Sequence, residues 1–319
     1  MKLLIIERIN AGVRALRPDH IAAIKRVAPA LDVVIASGAD DIQAHLRDAD
    51  IVAGYPATIP AIHGAKNLKW VHSFSAGMDR VLTDEVRESP IILSNSSGIH
   101  ATPIAEHILG LMLLWTRRFR ETLKSQDQGR WEKREDLTEL AGKTVLIAGL
   151  GDIGLEAARL CKSFRMTVWG TTRRSRERPE FVDQILTDAE MDAALASADF
   201  VVVALPYTKA THHRFGAAQF AAMKKSAVII NIGRGAIIDE PALIVALERK
   251  EIAGALLDVT EKEPLVSDSP LWGMENVVIT PHHSGWSERY MDRAIDRFCL
   301  NLTAYLHSDP LPNLVDKEA

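Results

Sequence analysis

The sequence predicts an α/β protein of two domains, each a doubly wound parallel sheet covered by helices, and three observations carry that expectation. Short apolar runs alternate with helix-length amphipathic segments along most of the chain, as strands joined by crossover helices do. One run, Val145-Leu-Ile-Ala, breaks into Gly149-Leu-Gly151-Asp152-Ile153-Gly154 and then into a helical pattern. At 319 residues, 47% hydrophobic and 25% charged, the chain has a globular composition and enough length for two cores.

A formal net charge of −4 supplies no whole-chain reason to expect nucleic acid or an anionic membrane as partner. Cys161 and Cys299 each fall in a helical pattern and are expected as free core thiols in a reducing compartment. The opening run Met1–Glu7 is too short for a signal-peptide core and reads as a strand. No apolar run approaches the roughly 18 residues of a membrane span, so a cytoplasmic location is expected. No metal site is called for.

Residues 1–98 and 287–319 are expected to form the first domain. Its strands are expected at Leu3–Ile6, Val33–Ala36, Ile51–Ala53, Leu68–Val71 and Ile91–Leu93, a flavodoxin-like count. The loop Ser73-Phe-Ser75-Ala76-Gly77-Met-Asp79 follows the fourth strand, at the carboxyl end where open α/β sheets bind ligands. Its small residues leave backbone N–H groups uncovered, a nest suited to a carboxylate, while Asp79 reads as a local cap. Tyr55, Phe74, Met78, Trp286 and Tyr290 are candidates to shape a pocket.

Residues 99–286 are expected to form the second domain. Thr102 as N-cap and Pro103 at the first helical position start a long buried helix with Ile104, Ile108, Leu111 and Trp115 on one face. His100, Glu106 and His107 lie beside that start, where a carboxylate also suits the helix dipole. Residues 121–139 are polar and read as a surface excursion, with Trp131 at a domain or subunit boundary. Six strands then follow, at Thr144–Ala148, Thr167–Trp169, Phe200–Ala204, Val228–Asn231, Ala255–Asp258 and Val277–Thr280, the Rossmann pattern. A last helix from Ser287 to about His307 precedes a tail that returns to the first domain.

The glycine stretch reads as a dinucleotide site. Gly149 permits the sharp turn, Gly151 lets a pyrophosphate approach, and Gly154 lets the helix pack on the strand with its N–H groups facing phosphate. The second strand ends Thr171-Thr172-Arg173-Arg174-Ser175-Arg176, without the carboxylate that holds a ribose 2′-OH. Hydroxyls and arginines there favour a 2′-phosphate, so NADP(H) is expected in preference to NAD(H), which stays possible.

Three stretches follow later strands of this sheet: Asn231-Ile232-Gly233-Arg234-Gly235, Asp258-Val-Thr-Glu261-Lys-Glu263-Pro264-Leu265, and Thr280-Pro281-His282-His283-Ser284-Gly285. An arginine to bind a carboxylate or polarise a carbonyl, a histidine to supply a proton and a carboxylate to hold the imidazole charged are what keto-acid reduction requires. Glu261 competes with Glu263 for the last role, and His283 with His282.

Together with Glu139-Leu-Ala-Gly-Lys143, Leu205-Pro206 with Thr211, Asp239-Glu240 and Gly254-Ala-Leu-Leu-Asp258, these stretches make the chain resemble the D-isomer-specific 2-hydroxyacid dehydrogenase family. The nearest likeness is to glyoxylate/hydroxypyruvate reductases and short NADPH-dependent 2-ketoacid reductases. The resemblance implies that Arg234 engages the substrate, Glu263 orients and charges the imidazole, and His282 is the general acid/base. It implies that Ser75, Ala76 and Gly77 receive the substrate carboxylate, with the N–H groups of Ala76 and Gly77 as donors, and that Asp258 touches the nicotinamide carboxamide. With the residues read above, the expected cofactor set is Thr102, Gly149, Gly151, Asp152, Ile153, Gly154, Thr172, Arg173, Arg174, Leu205, Pro206, Thr211, Ile232, Gly233 and Asp258. The expected activity is NADPH-dependent reduction of a small 2-oxo acid to the D-2-hydroxy acid, by a homodimer. The alternatives are a relative oxidising formate or phosphite, or a non-enzymatic cofactor-sensing corepressor.

Overall fold

The computed structural model describes residues 1–7, 12, 15–55, 65–78, 81–173 and 177–317. The chain divides into two compact units, Met1–His100 with Trp286–Ala319, and Ala101–Gly285.

Among its described residues the first unit contains β1 (Lys2–Ile6), β2 (Asp32–Ala36), β3 (Ile51–Gly54), β4 (Trp70–Ser73) and β5 (Ile92–Asn95), all parallel, in the order β2-β1-β3-β4-β5. That order is the flavodoxin-like one. Between them run α1 (Pro18–Val27), α2 (Ala39–Leu46) and α3 (Asp84–Glu88). A parallel sheet is covered on both faces, which is why Leu3, Leu4, Ile5 and Ile6 are all buried although neighbours in a strand point to opposite sides.

β4 extends beyond the expected end at Val71 because the polar residues that follow satisfy one another. Trp70 Nε1 donates to Ser94 Oγ at 2.8 Å, and Ser94 Oγ is 2.7 Å from His72 Nδ1. His72 Nε2 is 3.1 Å from Ser96 Oγ, which donates to the Ser73 carbonyl at 3.0 Å. Ser94 therefore donates to Nδ1, and the ring proton sits on Nε2.

His72 is fully buried. Burial, with the Arg297 cation adding to it, lowers its pKa to about 3. An unfolded histidine titrates near 6.5, so between those values the unfolded state binds the extra proton and stability falls as pH falls. The loss is at most about 1.4 kcal/mol per pH unit. Urea unfolding at about pH 6.5 and about pH 5 is expected to show a wild-type loss about 2 kcal/mol larger than that of His72→Gln. Equal losses in the two proteins would remove His72 as the acid-sensitive group.

In the second unit the described strands are β6 (Thr144–Ala148), β7 (Thr167–Thr171), β8 (Gln184–Leu186), β9 (Phe200–Val203), β10 (Val228–Asn231), β11 (Gly254–Leu257) and β12 (Val277–Ile279). They form one parallel sheet in the order β12-β11-β10-β9-β6-β7-β8. The sheet has seven strands where six are expected, because β8 is only three residues long and has no apolar run of its own. The order reverses between β6 and β9, the switch point at which such sheets bind ligands.

Helices α4 (Ala101–Thr116), α5 (Phe119–Asp127), α6 (Asp152–Ser163), α7 (Asp188–Ala194), α8 (Ala217–Ala222) and α9 (Glu240–Glu248) accompany this sheet. Val145, Ile147, Val202 and Ile230 pack with α4 and α6, while Leu146, Val201, Val203 and Ile229 pack with α7, α8 and α9. Helix α4 begins at Ala101, so Thr102 lies in its first turn and is not the cap. Pro103 is tolerated there because first-turn N–H groups have no intrahelical acceptor. The polar stretch after Arg120 is also partly helical, as α5, whose exposed charges hide the helical period.

The last helix, α10 (Tyr290–His307), belongs to the first unit and starts three residues after Ser287. It buries Met291, Ala294, Ile295, Phe298 and Leu302. The tail then bridges Ser94 to Leu314 antiparallel, and Val315 N donates to Leu93 O at 2.9 Å, which covers the edge of β5. Both cysteines are free, Cys161 buried and Cys299 only partly so. Among the described residues no helix is long and apolar enough to cross a membrane.

Candidate active site

The turn after β6 is built by glycines with different reasons. Gly149 has φ +103°, and a Cβ there would lie 2.7 Å from the Ala204 carbonyl oxygen. A Cβ on Gly154 would lie 2.0 Å from the Gly149 oxygen, so both positions are demanded by the fold itself. Thr171 clamps the turn from β7, accepting from Gly149 N at 3.1 Å through Oγ1 and from Leu150 N at 2.7 Å through its carbonyl. Gly151 differs: its φ is −81°, and a Cβ would meet nothing within 4 Å. Gly151, the N-cap of α6, and the next two residues, Asp152 and Ile153, find no acceptor for their N–H groups among the described residues.

At the end of β7, Thr172 is half-buried and Arg173 exposed; Arg174 lies outside the described residues. After β9, Leu205 is half-buried and Pro206 exposed, and Thr211 Oγ1 donates to the Pro206 carbonyl at 2.7 Å, pinning that loop. A Cβ on Gly233 would lie 2.7 Å from the Leu205 oxygen, and buried Ile232 donates its N–H to Val203 O at 3.2 Å. The loops after β9 and β10 are thus in backbone contact.

Asn231, 1% exposed, shapes the loop after β10. Its Oδ1 accepts from Gly233 N at 3.1 Å and its Nδ2 donates to Arg234 O at 3.1 Å. Arg234 Nη1 donates to Gly233 O at 2.9 Å. A Cβ on Gly235 would lie 1.9 Å from the Thr260 oxygen, so this loop in turn rests on the one after β11.

The loop after β11 separates the two competing glutamates. Glu263 Oε2 lies 2.7 Å from His282 Nδ1, and Glu261 Oε1 lies 3.0 Å from His213 Nε2. His282 and Glu263 are brought together and His283 takes another role: its N–H donates to Asp258 Oδ1 at 3.1 Å, and its ring lies edge-on to His107 at 5.7 Å. With Nδ1 committed to Glu263, His282 has Nε2 for proton exchange. Asp258 is 2% exposed. Burial alone would raise its pKa, but hydrogen bonds from Ser284 and Thr280 and from the Ser284 and His283 backbones hold it below the ordinary carboxylate value. Thr102 is exposed in the first turn of α4.

In the first unit, the loop after β4 turns its carbonyls toward protein donors. Ser73 O accepts from Ser96 Oγ, Ser75 O from Ser96 N at 3.2 Å, and Ala76 O from Asn95 Nδ2 at 2.8 Å. Ser75 N donates to Ser73 Oγ at 3.1 Å, whereas the N–H groups of Ala76 and Gly77 find no acceptor among the described residues. Asp79 lies outside the described residues. Tyr55, Phe74, Met78 and Tyr290 are core residues of this unit, with Tyr290 Oη donating to Phe74 O at 2.9 Å, and Trp286 is 54% exposed.

Residues 109–284 match the family described as D-isomer specific 2-hydroxyacid dehydrogenase, NAD binding domain. The chain belongs to that family. Among relatives of this 2-hydroxyacid dehydrogenase, D-3-phosphoglycerate dehydrogenase of Archaeoglobus fulgidus is 38% identical over 223 residues, which are 69% of this chain and 42% of that protein. The chain therefore spans less than half of that relative's length. Glyoxylate/hydroxypyruvate reductase B of Pectobacterium carotovorum is 34% identical over 286 residues, covering 88% of this chain and 87% of the relative. Of solved structures, a D-isomer specific 2-hydroxyacid dehydrogenase family protein from Aeromonas salmonicida superimposes with a TM-score of 0.89 at 32% identity, over 99% of each chain. An NADPH-dependent glyoxylate/hydroxypyruvate reductase from Sinorhizobium meliloti, solved with NADP and sulfate, has a TM-score of 0.81 at 29% identity, covering 100% of this chain and 99% of that one.

Three residues of this family member do work that motif reading does not assign. Asn231 shapes the Arg234 loop, and Thr280 and His107 bear on Asp258. The available signal was a polar residue closing or directly following an apolar strand, Asn231 at the end of β10 and Thr280 just after β12. For His107 the sequence offers only its place beside His100 and Glu106 at the start of α4, which does not point to Thr280.

Proposed function

We propose that this chain is an NADPH-preferring reductase that converts a small 2-oxo acid of the glyoxylate or hydroxypyruvate type to the D-2-hydroxy acid. The observation that carries this reading is the 2.7 Å bond between His282 Nδ1 and Glu263 Oε2, at the end of the parallel sheet that also presents the glycine loop and Arg234. Glu263 orients the imidazole through Nδ1, and His282 delivers a proton from Nε2 to the carbonyl oxygen. Arg234 offsets the negative charge that develops there. In the first unit, the N–H groups of Ala76 and Gly77 form a nest of the kind that takes a carboxylate.

A dinucleotide fits the residues present. The fold does not require glycine at position 151, and three successive N–H groups at the start of α6 lack acceptors among the described residues, as a pyrophosphate site would have it. The bound dinucleotide supplies the hydride to the carbonyl carbon. Arg173, in a sequence that carries no carboxylate from Thr171 to Arg176, supports a 2′-phosphate, as does likeness to the Sinorhizobium meliloti reductase solved with NADP. Initial rates over glyoxylate, hydroxypyruvate, pyruvate and phenylpyruvate with each cofactor test the reading. NADPH binding without turnover of any 2-oxo acid would overturn it.

A homodimer is part of this proposal. Trp131 is 94% exposed, and covering such a ring is worth roughly 2 kcal/mol. Trp131→Ala is expected to raise the dimer dissociation constant at least about tenfold in sedimentation equilibrium; an unchanged constant places the contact elsewhere.

A further inference from the structure

His282 has φ +50°, a left-handed conformation that costs a residue with a Cβ about 1 kcal/mol and persists only where the surroundings enforce it. The enforcement comes from Asp258, with a second bond from His282 N to the Thr280 carbonyl at 2.9 Å. His282 N donates to the Asp258 carbonyl at 2.8 Å, His283 N to Asp258 Oδ1 at 3.1 Å, and Ser284 N to Asp258 Oδ2 at 3.1 Å. Three successive N–H groups of the histidine turn thus converge on Asp258, so the placement of the imidazole depends on how firmly Asp258 itself is held.

Asp258 is held by Thr280, whose Oγ1 donates to Oδ1 at 2.6 Å. A hydroxyl has a single proton, so that oxygen has only lone pairs left for its other partner, His107 Nε2 at 3.1 Å. His107 must therefore carry its proton on Nε2 and donate it. The ring is held in place by α4 and by edge-on contact with His283. Burial is the main influence on His107 and lowers its pKa against the opposing pull of Asp258, so the neutral ring makes this bond.

We propose that His107 and Thr280 are positioning residues which, in series through Asp258, fix the backbone of the His282 turn and so aim its imidazole at the reacting carbonyl. Neither touches substrate or the reacting atoms. The catalytic part rests on the function proposed above; the structural part does not.

The test pairs kinetics with amide hydrogen exchange of the segment 280–286 in the full chain. Thr280→Val keeps the shape and removes the hydroxyl; it is expected to lower kcat about tenfold or more with the KM for NADPH within about twofold, and to speed exchange in 280–286 while β9 stays protected. Thr280→Ser restores both. His107→Phe shows the same signature more weakly, and because the two act in series, the double variant is no worse than Thr280→Val alone. Additive losses in the double variant, or wild-type exchange and kcat in Thr280→Val, would overturn the proposal. If Thr280→Val does not fold, exchange in His107→Phe decides it: faster supports, unchanged overturns. If the wild-type protein reduces no 2-oxo acid, the proposed function fails, and the exchange measurements still decide whether His107 and Thr280 hold the turn.

Discussion

Replacing His282 by glutamine is expected to lower kcat between roughly 100-fold and 10,000-fold, the range that a placed general acid contributes, with the dissociation constant of NADPH within about twofold of wild type. Glutamine retains the length and a hydrogen-bonding end that can still reach Glu263, so the 2.7 Å contact has a substitute partner. It cannot pass a proton at neutral pH. The glycine loop and Arg173 are untouched by the change, which is why cofactor affinity and turnover should part company. Fluorescence titration with NADPH and steady-state reduction of the best 2-oxo acid read the two quantities separately. A variant retaining more than about a tenth of wild-type kcat would transfer the proton to another group.

Arg173→Ala combined with Arg174→Ala should raise the KM for NADPH at least about 100-fold and that for NADH no more than about twofold. A hydrogen bond to a charged group contributes about 1.5–3 kcal/mol, so losing two contacts to a 2′-phosphate removes about 3 kcal/mol or more. NADH has no such phosphate and loses nothing. Arg173 is exposed, so its removal leaves the core unchanged and a fall in NADPH use cannot be ascribed to unfolding. Equal shifts for the two cofactors would assign the arginines to the solvent and the selectivity to another part of the site.

The legibility of the chain follows the range of the interaction concerned. The glycine turn could be read because its requirements lie within a few residues: left-handed φ at Gly149, and no room for a Cβ at Gly154 against Gly149. Strand β4 was placed two residues short, because a buried His72 and Ser73 look polar until their partners Ser94 and Ser96 are brought alongside by the sheet. Helix α5 and strand β8 were missed for a related reason: one is polar almost throughout, and the other is too short to show a period.

Sequence alone determined the parallel α/β architecture, the glycine turn and which side-chain types are candidates for the chemistry, since each is written in local spacing and residue chemistry. The pairing of Glu263 with His282 was implied only by resemblance; the tertiary structure supplied its geometry and decided the other pairings. Glu263 meets His282 across 19 residues of chain and Glu261 meets His213 across 48, although both glutamates sit in one short loop. His107 reaches Thr280 across 173 residues, from a helix to the end of a strand. Contacts of that separation are set by the order of strands in the sheet and by which ends of the strands lie side by side, and no window on the sequence contains both partners.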